Sequence, residues 1–348
     1  MDCRFHFSRA VTSRIVLGAG IEPQLPDAVA ELEPDGIVLI HDAALTGLAD
    51  RLAAALRAHK TLAVPGDTCK QLDTVSRLAQ ELGDAGATRG TVIVGLGGGT
   101  VTDLVGFVAA TYMRGVPCVL CPTTTLALCD AALGGKNGVD HGGLKNRLGT
   151  IRQPELIFAD THWLQSLPDE LVREGLVEVV KKAAVLDAGH FVRLEQLAPR
   201  LVAREESALT EAIEMAVAMK MEVVLTDERE GRRRHWLNYG HTIGHAIESL
   251  AQGTLRHGNC VAMGLLAECR AAAGAVPAAV LQRIEALLHA LAIGTTIPPA
   301  LRDPTRLWQL ARQDKKARAG NVPMVVPVAI GKGMLVELTE SGLARALA

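Results

Sequence analysis

The stretch "VIVGLGGGTVTDLVGF", residues 92–107, decides the fold. It begins as a short apolar run, passes through Gly97, Gly98 and Gly99, and continues as a helical pattern. Strand, glycine turn and helix in direct succession open a parallel α/β unit. Glycines let backbone N–H groups approach a ligand closely, and a helix N-terminus favours phosphate. The spacing is not a clean GxGxxG, because Thr100 holds the sixth position. Two readings therefore stand: a nucleotide-binding loop, or a tight turn with Thr100 as N-cap and Asp103 three residues on.

Outward from this stretch the alternation continues. The apolar runs "DGIVLIHD" (35–42), "TLAVPG" (61–66), "PCVLCPTT" (117–124) and "ELIFAD" (155–160) are separated by helical patterns such as "LTGLADRLAAALRAHK" (45–60). Short strands alternating with helices predict a parallel sheet covered by helices. Asp42 ends one of these strands, where an acid can hold ribose hydroxyls or simply serve the turn. From about residue 162 the patterns are helical, as in "LPDELVREGLVEVVKKAAVL" (167–186) and "CVAMGLLAECRAAAG" (260–274), until "VPMVVPVAIGKG" (322–333). The expectation is a Rossmann-like α/β domain over 1–161 and a mainly α-helical domain over 162–348.

Composition narrows the function classes. With 49% hydrophobic but only 3% aromatic residues, the core must be aliphatic. A formal net charge of −2 argues against a nucleic-acid binder with a broad basic surface. No apolar run is long enough for a membrane span, and "MDCRFHFSRA" lacks an apolar signal core, so a cytoplasmic location is expected. The seven cysteines are odd in number and scattered, unlike a disulfide framework. Cys118 and Cys121 form a CxxC inside an apolar run, which reads as strand interior, since a zinc ribbon needs a second pair.

Three segments concentrate polar chemistry. "DAALGGKNGVDHGGLKNRLG" (130–149) offers Asp130, Lys136, Asp140, Lys145 and Asn146 among glycines. That composition suits a solvated loop or a phosphate site. "REGLVEVVKK" (173–182) puts Glu174 and Glu178 on one helix face, with Lys181 and Lys182 a turn beyond Glu178. Ordinary helix-surface ion pairs explain such spacing. Yet Glu178 lies between valines on the apolar side, where an unpaired charge is costly. "NYGHTIGHAIE" (238–248) carries His241 and His245 four apart, on one helical face. Thr242 stands where a zinc protease has its glutamate, so no general base is built in. His257 follows sixteen residues after His241. Glu178, His241 and His257 make a set of one carboxylate and two histidines, and three protein ligands with an open position is a catalytic zinc pattern.

Together these segments resemble the sugar phosphate cyclases, specifically the 3-dehydroquinate synthase family. The resemblance spans roughly residues 36–330. It rests on "GGGTVTDLVGFVAATYMRG", "CPTTTLALCDAALGGKNGVDHGGLKN", "LPDELVREGLVEVVK", "DEREGRRRHWLNYGHTIGHAIE", "LRHGNCVAMG" and "DKKARAG", in the family's order. It implies a homodimeric enzyme using NAD and a divalent metal, zinc or cobalt, on a sugar phosphate. Residue by residue, it implies Glu178, His241 and His257 as metal ligands. Asp130 and Lys181 would contact substrate hydroxyls. Lys136, Asn146, Asn238, His245 and Lys315 would hold the phosphate, with Arg114 reaching it from the neighbouring subunit. Lys220 and Arg234 would bind the substrate carboxylate. Asp42, Asp67, Lys70, Gly97–Gly99, Asp103, Thr123, Thr124 and Lys145 would hold NAD.

The implied reaction converts 3-deoxy-D-arabino-heptulosonate 7-phosphate to 3-dehydroquinate and phosphate, a shikimate-pathway step. It runs through oxidation at C4, loss of phosphate, re-reduction, ring opening and aldol closure. The alternatives are an aminodehydroquinate synthase, a cyclitol synthase such as a valiolone synthase, and a metal-dependent alcohol dehydrogenase of related fold. Cyclitol substrates lack the carboxylate, and the presence of both Lys220 and Arg234 favours a carboxylated substrate. The chain departs from the family's usual pattern at Asn137, Asp140 and Gly142, where Thr, Asn and Pro are common, and at Asp67, where Glu is common.

Overall fold

The computed structural model describes residues 11–229, 233–313 and 322–347. The chain forms two compact units. The first comprises Ile21–Pro122, Gly135–Asp160 and the described residues up to Leu17. Its elements are β1 (Arg14–Gly18), α1 (Leu25–Ala30), β2 (Gly36–Asp42), α2 (Thr46–Leu56), β3 (Lys60–Val64) and α3 (Leu72–Asp84). They continue with β4 (Thr91–Gly97), α4 (Gly99–Thr111), β5 (Cys118–Pro122), β6 (Lys136–His141), β7 (Leu144–Ile151) and β8 (Leu156–Asp160). Six strands form one sheet in the order β1-β8-β5-β4-β2-β3. Strands β3, β2, β4, β5 and β8 pair in parallel. Every residue of β4, β5 and β8 is buried, as expected for strands covered on both faces. Cys118 and Cys121 are accordingly strand interior.

The opening stretch folds as strand, turn and helix. A Cβ at Gly95 would stand 2.8 Å from Val105, and one at Gly97 2.7 Å from Val101. These two glycines thus let α4 lie directly on β4. The N-cap of α4 is Gly98, with no side-chain cap hydrogen bond, so Thr100 sits inside the helix and not at its cap.

The polar 130–149 segment is not a single loop. It starts with a π-helical turn, Ala127–Ala131, and ends in the antiparallel pair β6–β7. His141 pairs with Leu144 across Gly142 and Gly143. Both glycines have positive φ, 60° and 75°, as a type I′ hairpin turn requires. Proline, fixed near −65°, cannot occupy Gly142 here.

The second unit holds Gly18–Gly20, Thr123–Gly134 and the described residues from Thr161 on. Thr123–Gly134, expected with the α/β domain, therefore clusters with the helices. These are α5 (Asp169–Leu186), α6 (Ala188–Val202), α7 (Glu206–Thr226), α8 (His241–Ala251), α9 (His257–Ala271), α10 (Ala278–Ala290), α11 (Pro304–Arg312) and α12 (Glu340–Leu347). The antiparallel strands β9 (Val322–Ala329) and β10 (Lys332–Leu338) join them. Among the described residues, no helix is long and apolar enough to cross a membrane. The fold is thus a Rossmann-like α/β unit plus a mainly helical one.

Candidate active site

Two helices of the second unit meet backbone to backbone. A Cβ at Gly264 on α9 would fall 2.0 Å from Gly240 O, and one at Gly244 on α8 would fall 3.0 Å from Cys260 O. Gly240 itself has φ +80° and precedes α8 as its N-cap. The buried Glu268 carboxylate of α9 completes that cap, accepting from Gly240 N–H at 2.7 Å and Ile243 N–H at 2.9 Å. A carboxylate at a helix N-terminus is favoured by the helix dipole. This packing places His241 and His245 of α8 against His257, the first residue of α9. The ring centroids of His241 lie 4.9 Å from His245 and 5.4 Å from His257. One nitrogen from each of the three rings lies within 4.8 Å of the others, a spacing able to hold a metal ion.

The ring orientations follow from their neighbours. His257 Nδ1 lies 3.0 Å from Glu248 Oε2. Nδ1 is then the protonated donor, which leaves Nε2 its lone pair, the usual arrangement behind a metal-binding imidazole. Burial works against a charged His257, but Glu248 outweighs it and raises the ring's pKa. His241 Nδ1 faces Tyr239 O at 3.3 Å. Its Nε2 lies 3.7 Å from Glu178 Oε1. That oxygen is buried and has no hydrogen-bond partner among the described residues. A buried, unsatisfied carboxylate oxygen beside imidazole nitrogens fits a divalent cation. Glu178 lies outside the tight three-histidine group, while His245, assigned from the resemblance to phosphate, lies within it.

Around Glu178 is a knot of charge. Lys181, on the next turn of α5, is paired with Glu178 Oε2. Lys182 Nζ lies 3.3 Å from Glu178 Oε2 and 3.1 Å from Asp130 Oδ1. Lys220 of α7 donates to the backbone O of Asp130 at 2.6 Å and to its Oδ1 at 2.9 Å. The helix-surface ion pairs expected from spacing are thus present but buried, Glu178 and Lys181 being 1% exposed and Lys182 0%. Burial pushes the Glu178 carboxyl up, but Lys181 and Lys182 outweigh it and hold it below its ordinary value. Asp130 is held well below the carboxylate range, since Lys182 and Lys220 outweigh its burial. Burial lowers Lys181. Lys182 is raised, its burial overcome by Asp130 and Glu178. Burial, partly offset by Asp130, brings Lys220 down to about 8.

Arg234 is also buried. Its Nη2 donates to Gly134 O at 3.1 Å and its Nη1 to Glu228 O. Asn238 is half-buried at the end of a 3-10 turn just before α8. Lys315 lies outside the described residues.

In the first unit Asp42, Asp67, Lys70, Gly97–Gly99 and Asp103 lie at or just beyond the carboxyl ends of parallel strands, where ligands bind in open α/β sheets. Asp42 ends β2, accepts from Ala44 N–H at 3.0 Å, and lies against Gly66, whose added Cβ would be 2.1 Å from its Oδ2. Asp67 is exposed just beyond β3. Lys70 and Asp103 form an ion pair at 2.5 Å. Gly97–Gly99 lead from β4 into α4. Thr123 and Thr124 follow β5 in the chain but cluster with the second unit. Lys136 opens β6 and is exposed, as are Lys145 and Asn146 on β7. Arg114 is exposed within three successive positive-φ residues, Met113, Arg114 and Gly115.

The departures at Asn137 and Asp140 are structural. Asn137 Nδ2 donates to Gly135 O at 3.1 Å and Arg152 O at 3.0 Å, pinning the hairpin base. Its Oδ1 fills the space above Gly106. Asp140 Oδ1 accepts from Asn146 N–H at 2.7 Å, within the hairpin. Sequence reasoning assigned no site role to Lys182, Glu248 or Glu268. Glu248 shares the α8 face with His241 and His245 at helical spacing, a signal that was available. Glu268 lies in an aliphatic helix and offered none.

Residues 60–174 match the 3-dehydroquinate synthase N-terminal family and residues 175–317 the 3-dehydroquinate synthase C-terminal family. The chain is 40% identical over 280 residues to a 3-dehydroquinate synthase of Citrifermentans bemidjiense, covering 80% of this chain and 77% of that protein. It is 38% identical over 333 residues to the Geobacter metallireducens 3-dehydroquinate synthase, covering 93% and 92%. A solved structure of 2-epi-5-epi-valiolone synthase from Streptomyces hygroscopicus, with NAD+ and Zn2+ bound, superposes with a TM-score of 0.89 at 26% identity. That match covers 99% of this chain and 98% of the other. With both halves of the family's sequence pattern present and its charged residues gathered around the α8–α9 histidines, the chain belongs to the 3-dehydroquinate synthase family of sugar phosphate cyclases.

Proposed function

We propose that this enzyme converts 3-deoxy-D-arabino-heptulosonate 7-phosphate to 3-dehydroquinate and phosphate, with NAD and a divalent cation, zinc or cobalt. The observation that carries the reading is the buried Glu178 carboxylate: its Oε1 faces His241, Lys181 and Lys182 hold its Oε2, and it lies in the same unit as the buried Arg234. Glu178, His241 and His257 are the residues that would hold the cation, and the β4–α4 turn with Asp42, Asp67, Lys70, Asp103, Thr123, Thr124 and Lys145 would hold NAD. When bound, NAD takes up and returns a hydride while the cation polarises the neighbouring substrate oxygens.

The chain's own residues do the rest. Asp130, kept ionised by Lys182 and Lys220, accepts from a substrate hydroxyl, and Lys181 donates to another. Lys220 and Arg234 attract the substrate carboxylate. A planar guanidinium with several N–H donors suits that group, even while two of its nitrogens hold Gly134 O and Glu228 O. Lys136, Asn146, Asn238, His245 and Lys315 are assigned to the phosphate, and Arg114 to the phosphate of a partner protomer in a homodimer. Oxidation at C4 acidifies the C5 proton, and the departing phosphate can take it, so the protein supplies charge and position more than a strong base.

A second reading is favoured by the likeness to the valiolone synthase. In it the chain closes a sugar phosphate without a carboxylate, in a natural-product pathway. One experiment separates the two. The protein is incubated with NAD+, zinc and, in parallel, the heptulosonate phosphate, sedoheptulose 7-phosphate or glucose 6-phosphate. Phosphate release and product are measured. Turnover of the heptulosonate alone is expected. Arg234→Ala should then raise KM for it far more than for a decarboxylated analogue, and equal effects would remove the argument from Arg234.

A further inference from the structure

We propose that Lys182 is a positioning residue that ties Asp130 to Glu178 and keeps Asp130 committed to substrate instead of to the cation. The proposal rests on the functional reading above. Lys182 is fully buried. It lies 3.1 Å from Asp130 Oδ1 and 3.3 Å from both Glu178 Oε2 and the Glu178 backbone O. An ammonium has three N–H donors, and these three oxygens account for them.

Two carboxylates a single ammonium apart would both be drawn to a dication held by Glu178 Oε1, His241 and His257. Asp130 does not swing toward it because Lys182 and Lys220 share its Oδ1 and Lys220 also holds its backbone O. The π-helical turn that carries Asp130 adds a local irregularity of the kind found at functional sites. With Asp130 held, a coordination position stays open for substrate, as a catalytic cation site requires.

Charge gives the proposal a signature that damage to the fold lacks. Removing a buried cation near a dication site must tighten dication binding, while releasing Asp130 must slow turnover. Lys182→Met conserves length and volume. Glu178 keeps Lys181, and Asp130 keeps Lys220, so neither carboxylate is stranded.

The test uses the full-length protein stripped by a chelator and titrated with Co2+ alone, read by visible absorption, beside turnover of the heptulosonate phosphate and a thermal melt. Lys182→Met is expected to bind Co2+ about tenfold more tightly or better, from the Coulomb repulsion removed. Its kcat should fall by about two orders of magnitude with KM within about threefold, as for a lost interaction made in the transition state. Lys182→Gln, which keeps donors but no charge, should give the same tightening. Unchanged or weaker Co2+ binding in variants that melt like wild type overturns the proposal. So does failure of both variants to fold, which would make Lys182 purely structural. If wild type does not turn over the heptulosonate, the proposed function fails, yet the Co2+ titration still decides the role of Lys182.

Discussion

Replacing Gly264 with alanine tests whether the histidine cluster depends on α8 and α9 touching through their backbones. The new Cβ would stand 2.0 Å from Gly240 O, 2.8 Å from Gly244 N and 2.9 Å from Gly244 Cα. A carbon–oxygen contact normally needs about 3.3 Å, so the helices must part by roughly 1 Å. All three neighbours are backbone, which cannot swing aside like a side chain. Overpacking of this kind costs about 1–3 kcal/mol. Stretching the bonds from Gly240 and Ile243 N–H to Glu268 adds about 1–2 kcal/mol, because hydrogen bonds to a charged acceptor are strong. In the opposite direction, alanine gains about 1 kcal/mol over glycine inside a helix. The net is a loss of about 1–4 kcal/mol, opposite in sign to helix propensity alone. Gly47, inside α2 with nothing within 4 Å of its added Cβ, is the control, and Gly47→Ala should be neutral or stabilising. Urea denaturation followed by far-UV circular dichroism reads the stability, and Co2+ titration reads the site. Metal sites tolerate ligand shifts of only about 0.2 Å, so Co2+ affinity should fall at least about tenfold in Gly264→Ala. A variant as stable as wild type, or one binding Co2+ normally, refutes the reasoning.

Three other outcomes are expected. His257→Ala should purify without zinc and without turnover, and a full equivalent of zinc by elemental analysis would sink its assignment as a ligand. Lys220, brought by burial to about 8, is cationic below that pH and neutral above it. The value of kcat/KM for a carboxylated substrate should therefore fall as pH rises through about 8. Lys220→Arg should erase that limb, because a guanidinium stays protonated; an unaltered profile would detach Lys220 from the carboxylate. Asp140→Asn should leave kcat/KM within about twofold, because Asp140 spends its carboxylate on Asn146 N–H inside the hairpin. A tenfold change would return Asp140 to the binding machinery.

Strands β2, β3, β4, β5 and β8 and the long helices were legible because burial imposes a periodicity that survives in a single sequence. The β6–β7 hairpin was not. Its residues are glycine-rich and mostly polar, and all but two on β7 are exposed, so no apolar face announces it. The signal that was present is chemical: paired glycines at 142 and 143 between two short runs mark a type I′ turn. Of the two readings of the glycine loop, the Thr100 cap is not what forms. Thr100 has the right chemistry for an N-cap, but α4 starts at Gly99, with Gly98 as its cap.

At the site, spacing brought the histidines together but could not divide their roles. Two histidines four apart on a helix share a face whatever they bind, and His245 lies within ligand distance of His241 and His257. The carboxylates beside His241 and His257 carry information that helical spacing does not. His241 Nε2 points at the one buried Glu178 oxygen with no hydrogen-bond partner among the described residues, and Glu248 turns His257 so that its Nε2 is the free lone pair. Lys182 shows the same limit from the other side. In sequence it is one more i,i+4 partner of Glu178, worth a few tenths of a kcal/mol on an exposed helix. Burial turns that pair into a constraint, because two desolvated charges are held in place by each other and by the partners they share. Only the arrival of Asp130 from a distant segment tells which kind of pair it is.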